Sequence, residues 1–233
     1  KAFAKKPLAP IQILNNDNSR LLNEVVLNEF NGKQKLAEAG LKTPAGQSVV
    51  SVAGALDVAE NLGYPVTAKV LSESISHKSE FNGVRLNIAD KKALAQAAGE
   101  LLEIEPALLI ETMVESVVAE LIVGVNTDPL FGNYLVLGCG GVLVELLDDS
   151  APLLMPVCRE DVMQTLSQLK VYPLLEGYRG SAAGDIDAVI DSVMAIVSFI
   201  EAHKVLELDI NPLLVLNKGK GAIAVDALVK LRQ

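Results

Sequence analysis

This chain has no tryptophan, and its phenylalanines and tyrosines make up only 4% of it. A core so poor in rings has to be filled by Ala, Val, Leu and Ile, the usual content of sheets covered by helices, so mixed α/β packing is expected. Cysteine is almost missing too. Cys139 and Cys158 have neither the spacing of a metal motif nor that of a disulfide framework, and they read as core thiols of a protein kept in a reducing cytoplasm. Long apolar runs are absent: the longest, Tyr134 to Val144, is broken by glycines and falls short of the roughly 20 residues that cross a bilayer. No signal peptide is visible, and because the first residue is Lys1 rather than Met the chain is expected to be a fragment or a processed product. Positive charge is also in deficit, with 20 Lys and Arg against 29 Asp and Glu and a formal net charge of −9. That excludes a general nucleic-acid surface or an anionic-membrane surface, since both need a cationic face.

What the chain does have is apolar content, 50% of its 233 residues. This is enough to bury a sizeable core as one large domain or two small ones. "KKPLAPIQILNNDNSR" (Lys5 to Arg20) lacks helical periodicity, and residues 1–21 read as a lead-in or linker. The pattern then predicts a helix from Leu22 to Ala39 and a strand from Gln47 to Val50. A helix from Ala53 to Leu62 and a strand "PVTAKVL" (Pro65 to Leu71) follow. After a polar loop come the strand "VRLNI", a helix from Lys91 to Leu102 and a buried strand from Ala107 to Val114.

From Ala119 the texture becomes a meander of strand-like runs, "AELIVGVN", "GNYLVLG" and "GVLVELL". A helix from Glu160 to Leu169, a loop "PLLEGYRGSAAG", a helix from Ile186 to His203 and two closing strands complete the chain. The expected fold class is therefore α/β of the α+β two-lobed kind, with residues 22–114 as one lobe and 115–233 as the other.

Two patterns carry chemistry. "GCGGV" (Gly138 to Val142) lies between two strand-like runs with no helix start, which excludes a dinucleotide-binding turn. A plain tight turn and a glycine-rich flap over a phosphate both remain open. "ELDINP" places Glu207, Asp209 and Asn211 on one face of a strand, and Asp226 is the single acid of the next run, "AIAVDAL". If those runs pair through "NKGKG", Asn211 and Asp226 come close. Such a pair of oxygen donors suits Mg²⁺, which keeps open positions for phosphate and water, whereas an edge strand with a wet polar face would look the same.

The motifs "LNEFNGKQKLAEAGLKTPAG", "GYPVTAKVLSESISHKSEFNGV", "LLIETMV", "AELIVGVNTDPLFG", "GCGGVLVEL", "PLLEGYRG" and "LELDINPLLV…GAIAVDA" follow one another in this order. Together they resemble the ATP-grasp subunit or domain of the ADP-forming acyl-CoA synthetases, relatives of the succinyl-CoA synthetase β subunit, from Leu22 to Leu231.

The resemblance implies a nucleotide cleft between two lobes. In it Lys69 contacts ATP phosphates, the hinge Glu111, Thr112, Met113 and Val114 receives adenine, and Glu120 is a nucleotide-site carboxylate. Gly138, Gly140 and Gly141 would form the flap, Asn211 and Asp226 would bind Mg²⁺ with Asp209 as accessory acid, and His77 would be the phosphoryl carrier. A neutral imidazole is a competent nucleophile near neutral pH, and splitting one transfer into two eases both. The implied partner is a CoA-binding α subunit or the CoA-binding domains of the same longer polypeptide, which the linker-like start favours. His203 reads as structural.

The sequence departs from the family pattern at Asn82, where a glycine is usual, and in the turn "ESVV" before and at Val117. It departs again at Leu153, where a basic residue is usual. These departures keep open the alternative of a non-catalytic nucleotide-binding regulatory or assembly subunit.

Overall fold

The computed structural model describes residues 24–72, 82–128, 130, 132–141 and 149–232. Its apolar side chains sort into two separate clusters, and each cluster sits between a sheet and its helices. In the smaller lobe β2 (Gly46–Val49), β3 (Val66–Val70), β4 (Val84–Ile88) and β5 (Leu108–Thr112) run in the order β2-β5-β3-β4. Helices α2 (Val52–Leu62) and α3 (Lys91–Leu102) pack Ala55, Val58, Ala59, Leu94, Ala98 and Leu101 against this sheet. Both helices start where the sequence provides a cap: Ser51 Oγ accepts from the Gly54 amide at 3.1 Å and Asp90 Oδ1 from the Ala93 amide at 2.9 Å. Gly63 ends α2 at φ +83°, a conformation glycine adopts without steric cost.

The larger lobe is a seven-stranded sheet ordered β1-β11-β9-β6-β7-β8, with β10 also paired to β9. Its strands are β1 (Glu24–Leu27), β6 (Val117–Asp128), β7 (Gly132–Cys139), β8 (Ser150–Leu154), β9 (Val205–Leu216), β10 (Ala222–Ala224) and β11 (Ala227–Arg232). The pairings between the described strands are antiparallel in both sheets. Helices α1 (Glu29–Glu38), α4 (Arg159–Gln168), α5 (Tyr172–Glu176) and α6 (Ile186–Ala202) belong to this lobe. Leu121, Val123, Val125, Leu208 and Ile210 turn one face of the sheet to them, and alternation leaves Glu120, Asp209 and Asn211 on the other.

Four expectations change here. Residues from Leu22 were expected to be helical, but Glu24–Leu27, rich in β-branched Val, forms an edge strand on β11. Asn28 then caps α1 by accepting from the Asn31 amide at 3.0 Å. As a result β1 and α1 join the large lobe, so the chain crosses between lobes both after α1 and between Thr112 and Val117, and a lobe of 22–114 does not describe the fold. The final run is two strands interrupted at Val225 and Asp226. Cys139 is buried as expected, but Cys158 is exposed at the start of α4. The lead-in, most of "GVLVELL", and His77 lie outside the described residues. His203 caps α6 with Nδ1 3.1 Å from the Phe199 carbonyl and its ring stacked on Phe199.

Candidate functional site

A cavity of about 330 Å³ lies between the lobes. Thr67, Lys69, Val84, Leu86, Glu111, Thr112 and Met113 form its small-lobe and hinge side, with Val114 and Val117 continuing the wall. Glu120, Asn211, Pro212, Leu214, Val225 and Asp226 close it from the large lobe. The apolar members give a slot for a flat ring, and the polar ones gather at one region where Lys69 meets the break between β10 and β11.

That break explains the position of Asp226. β11 pairs with β9 in the register Ala227↔Ile210, which sets Asp226 opposite Asn211, and the Asn211 amide reaches the Asp226 carbonyl at 3.4 Å. Asp226 Oδ1 accepts from the Ala227 amide at 2.9 Å, which orients the carboxylate. Asp209 lies on the same strand face but beside Gly124 and is not among the cavity-lining residues. Carbonyl and carboxylate oxygens from Asn211, Asp226 and Glu120 make a hard donor set that fits Mg²⁺. Among the described residues no group of three or more His, Cys, Asp or Glu side chains could hold a metal. A cation here would therefore depend on ligand oxygens and water as well.

Lys69 is the buried cation of the site, and the sequence reading did not foresee its surroundings. Its Nζ lies 2.8 Å from Glu29 Oε1 and 3.2 Å from Glu111 Oε2, and it donates to the Val225 carbonyl. A second lysine, Lys33, sits 2.6 Å from Glu29 Oε1 and 2.7 and 2.9 Å from the two Glu111 oxygens. All four side chains are 7% exposed or less. Burial alone would lower the Lys69 pKa, but the negative charges of Glu29, Glu111 and Asp226 outweigh it and hold the group above the ordinary lysine range. Lys33 goes the other way: burial and the neighbouring Lys69 charge push it below that range, against the pull of Glu29 and Glu111.

Glu29 and Lys33 escaped the sequence reading because α1 hides them in plain periodicity. Its buried positions are Glu29, Gly32, Lys33 and Leu36, a helix face at i, i+3, i+4 and i+7 on which two of the four residues are charged. A Glu and Lys four apart ordinarily read as a solvent-exposed pair. The signal that could have exposed them is Gly32, which lets α1 approach β11 so closely that an added Cβ would lie 3.2 Å from Val229 Cγ2.

Of the other expected residues, Thr112, Met113 and Val114 line the cavity. The amides of Thr112 and Met113 are already donated to the Ala45 and Pro65 carbonyls, and Glu111 turns its carboxylate to the lysines. Gly138, Gly140 and Gly141 are not on the cavity wall; they pack the end of β7 against its neighbours. An added Cβ at Gly138 would lie 2.8 Å from the Asp149 carbonyl, and one at Gly141 would run into Glu120 Oε2.

Two departures keep their backbone role, since Asn82 and Ser116 both stand at positive φ, +54° and +60°, in the left-handed region where glycine is at ease. Leu153, where a basic residue was expected, is buried opposite Leu135. A charge would be costly there.

With this geometry in place, the comparisons with known proteins agree. The family profile described as ATP-grasp domain matches residues 21–231. Over 215 residues the chain is 34% identical to the β subunit of acetate–CoA ligase [ADP-forming] II of Pyrococcus furiosus, covering 88% of this chain and 91% of that one. It is 33% identical to acetate–CoA ligase [ADP-forming] of Methanocaldococcus jannaschii, covering 91% of this chain but only 32% of that longer one.

A solved structure from Ca. Korarchaeum cryptofilum superposes with a TM-score of 0.78 at 29% identity, covering 89% and 93% of the two chains. It is a dinucleotide-forming acetyl-coenzyme A synthetase 1 with coenzyme A and Mg-AMPPCP bound and its phosphohistidine segment pointing towards the nucleotide binding site. The chain belongs to the ATP-grasp family, and within it to the group formed with the ADP-forming CoA ligases. Its extent matches their separate β subunit, and the same unit is about a third of the single-chain ligase.

Proposed function

We propose that the cavity between the lobes takes ATP or ADP with Mg²⁺. On this reading the chain is the nucleotide-handling part of an ADP-forming acyl-CoA synthetase, an acid–thiol ligase that interconverts acyl-CoA, ADP and phosphate with carboxylate, CoA and ATP. The observation that carries this reading is that Lys69 faces Asn211 and Asp226 across one cavity whose remaining wall is largely apolar. An ammonium on one side and hard oxygen donors on the other suit a polyphosphate with its cation, and the apolar slot suits a base. Asn211 and Asp226 would hold Mg²⁺, which when bound offsets the charge of the phosphate oxygens.

His77 is proposed as the phosphoryl carrier. Its imidazole nitrogen attacks the γ-phosphorus, an N–P bond forms, the bond to the β–γ bridging oxygen breaks, and ADP leaves with that electron pair. The phosphohistidine segment of the Korarchaeum relative supports this assignment. CoA and the acyl group would bind an α subunit or additional domains of a longer polypeptide. Both arrangements occur among the relatives. The two free thiols, Cys139 and Cys158, favour a cytoplasmic location.

The test is acid-labile, base-stable labelling of the chain from γ-labelled ATP in the presence of its CoA-binding partner. Label is expected in the wild type and absent in His77→Ala, with Lys69→Ala weakening ATP binding in calorimetry. ATP binding without label in any variant would support the non-catalytic alternative, and no ATP binding at all would overturn the reading.

A further inference from the structure

Lys69 has three close partners, and the partners are not equivalent. Glu29 Oε1 at 2.8 Å and the Val225 carbonyl belong to the large lobe, so these two contacts tie β3 across the lobe boundary. The third, Glu111 Oε2 at 3.2 Å, lies within the small lobe and is an ion-pair contact rather than a hydrogen bond. Glu29 and Val225 accept two of the three ammonium protons, so a phosphate oxygen that reaches Lys69 competes with Glu111 for the third. Losing the Glu111 contact is the least costly exchange, because Glu111 already has both oxygens on Lys33 at 2.7 and 2.9 Å. A buried carboxylate that keeps a charged donor on each oxygen is not left uncompensated.

We infer that Lys33 is a positioning residue for the phosphate contact: by holding Glu111 it frees one donor of Lys69 for the nucleotide, while Glu29 keeps that lysine aimed at the cavity. The inference deepens the nucleotide reading above and rests on it. Lys33 is not itself a lining residue of the cavity and, on this reading, does not touch the ligand. Its effect passes through Glu111 and Lys69. Without Lys33, the full negative charge of Glu111 falls on Lys69 and competes with phosphate. With both Lys33 and Glu111 neutralised, Lys69 retains Glu29 and Val225 and regains a donor for the ligand.

Three forms of the 233-residue chain, wild type, Lys33→Met and Lys33→Met/Glu111→Gln, are titrated calorimetrically with ATP in excess Mg²⁺ and, separately, with adenosine. Loss of one charge-assisted contact predicts that Lys33→Met binds ATP about tenfold more weakly. Adenosine, which has no phosphate, is expected to bind Lys33→Met within about twofold of the wild type, and the double variant is expected to recover most of the ATP affinity.

Rescue by a second substitution is a result that mere structural damage at Lys33 would not give. The inference is overturned if Lys33→Met binds ATP as the wild type does, if ATP and adenosine weaken together, or if the double variant is no better than the single. Failure of the nucleotide reading is recognised differently: the wild type then binds no ATP, and both ideas fall. Thermal unfolding establishes that each variant is folded. Should Lys33→Met not be, Lys33→Gln, which removes the charge and leaves only a neutral donor for Glu111, takes its place with the same direction of effect and a smaller size.

Discussion

Replacing Glu111 by Gln removes one unit of charge from the buried group of four and changes almost nothing in shape. Glu111, like Glu29, is a partner that Lys33 and Lys69 share, with contacts at 2.7, 2.9 and 3.2 Å and a side chain 4% exposed. Two carboxylates against two ammonium groups sum to zero. After the substitution the two ammonium groups share only Glu29 of the pair that bridged them, in a place water barely reaches. Removing one partner of a buried ion pair typically costs about 3–5 kcal/mol, whereas removing a matched pair is often close to neutral.

The expected loss for Glu111→Gln is therefore about 3–5 kcal/mol out of a total stability on the order of 5–15 kcal/mol. In a chain of this size that corresponds to a fall in Tm of about 6–20 °C. Glu111→Gln/Lys33→Met leaves a neutral Glu29–Lys69 pair, so it is expected to be at least about 1 kcal/mol more stable than Glu111→Gln alone, with a coupling within the range seen for contacting residues. Urea unfolding followed by far-ultraviolet circular dichroism gives the midpoint and slope for each variant. A cost below about 1 kcal/mol for the single substitution, together with simple additivity in the double, would refute the claim that charge balance holds this cluster together.

Four further outcomes are expected. Ser116 stands at φ +60°, so Ser116→Gly is expected to be neutral or to raise stability by up to about 1 kcal/mol. Ser116→Val should lower it by about 1–2 kcal/mol, and differential scanning calorimetry distinguishes them. Cys158 is exposed, but its thiol pKa is raised, chiefly by the hydrogen bond to the Asp161 side chain. A raised pKa means less thiolate at pH 7.5, so iodoacetamide should modify Cys158 more slowly than a free thiol, with the rate climbing as pH rises. Asp161→Asn should speed the reaction, while the buried Cys139 stays unmodified until the chain unfolds. Gly138→Ala forces a Cβ to 2.8 Å from the Asp149 carbonyl and is expected to cost at least about 2 kcal/mol in urea unfolding. Gly141→Ala meets the flexible end of Glu120 at φ +69°, and should leave the fold intact while altering ATP affinity.

How far the fold could be read in advance depended on where the forces are local. The helices α2, α3 and α6 announce themselves through an apolar stripe, a cap at Ser51, Asp90 or Asp185 and a stop, all within one segment. β9 runs from Val205 to Leu216 exactly where "VLELDINPLLVL" lies, and its alternation placed Asp209 and Asn211 on one face correctly. The strand Glu24–Leu27 was not legible because it is decided by β11, distant in sequence, and the break at Val225 and Asp226 because "GAIAVDALV" reads as one run until its register on β9 divides it. β8 (Ser150–Leu154) was missed because "SAPLL", with a proline in it, reads as a loop until β7 supplies its ladder.

The candidate site divides along the same line, and the division says something about how such a cleft can be built. Residues facing the cavity, Lys69, Glu120, Asn211 and Asp226, stand out as polar side chains in apolar runs. The residues that set the behaviour of Lys69 lie behind it, on a helix face that mimics a solvated one. A bare lysine in that position would have to be buried without compensation while the cleft is empty, which favours losing its proton. Glu29 and Glu111 keep it charged, as its raised pKa records, but two carboxylates beside one lysine would repel the polyanion it is meant to receive. Lys33 cancels the excess. The group of four can thus be buried and neutral in the unliganded protein and still present a charged donor to an incoming phosphate, which neither a lone lysine nor a simple ion pair would do.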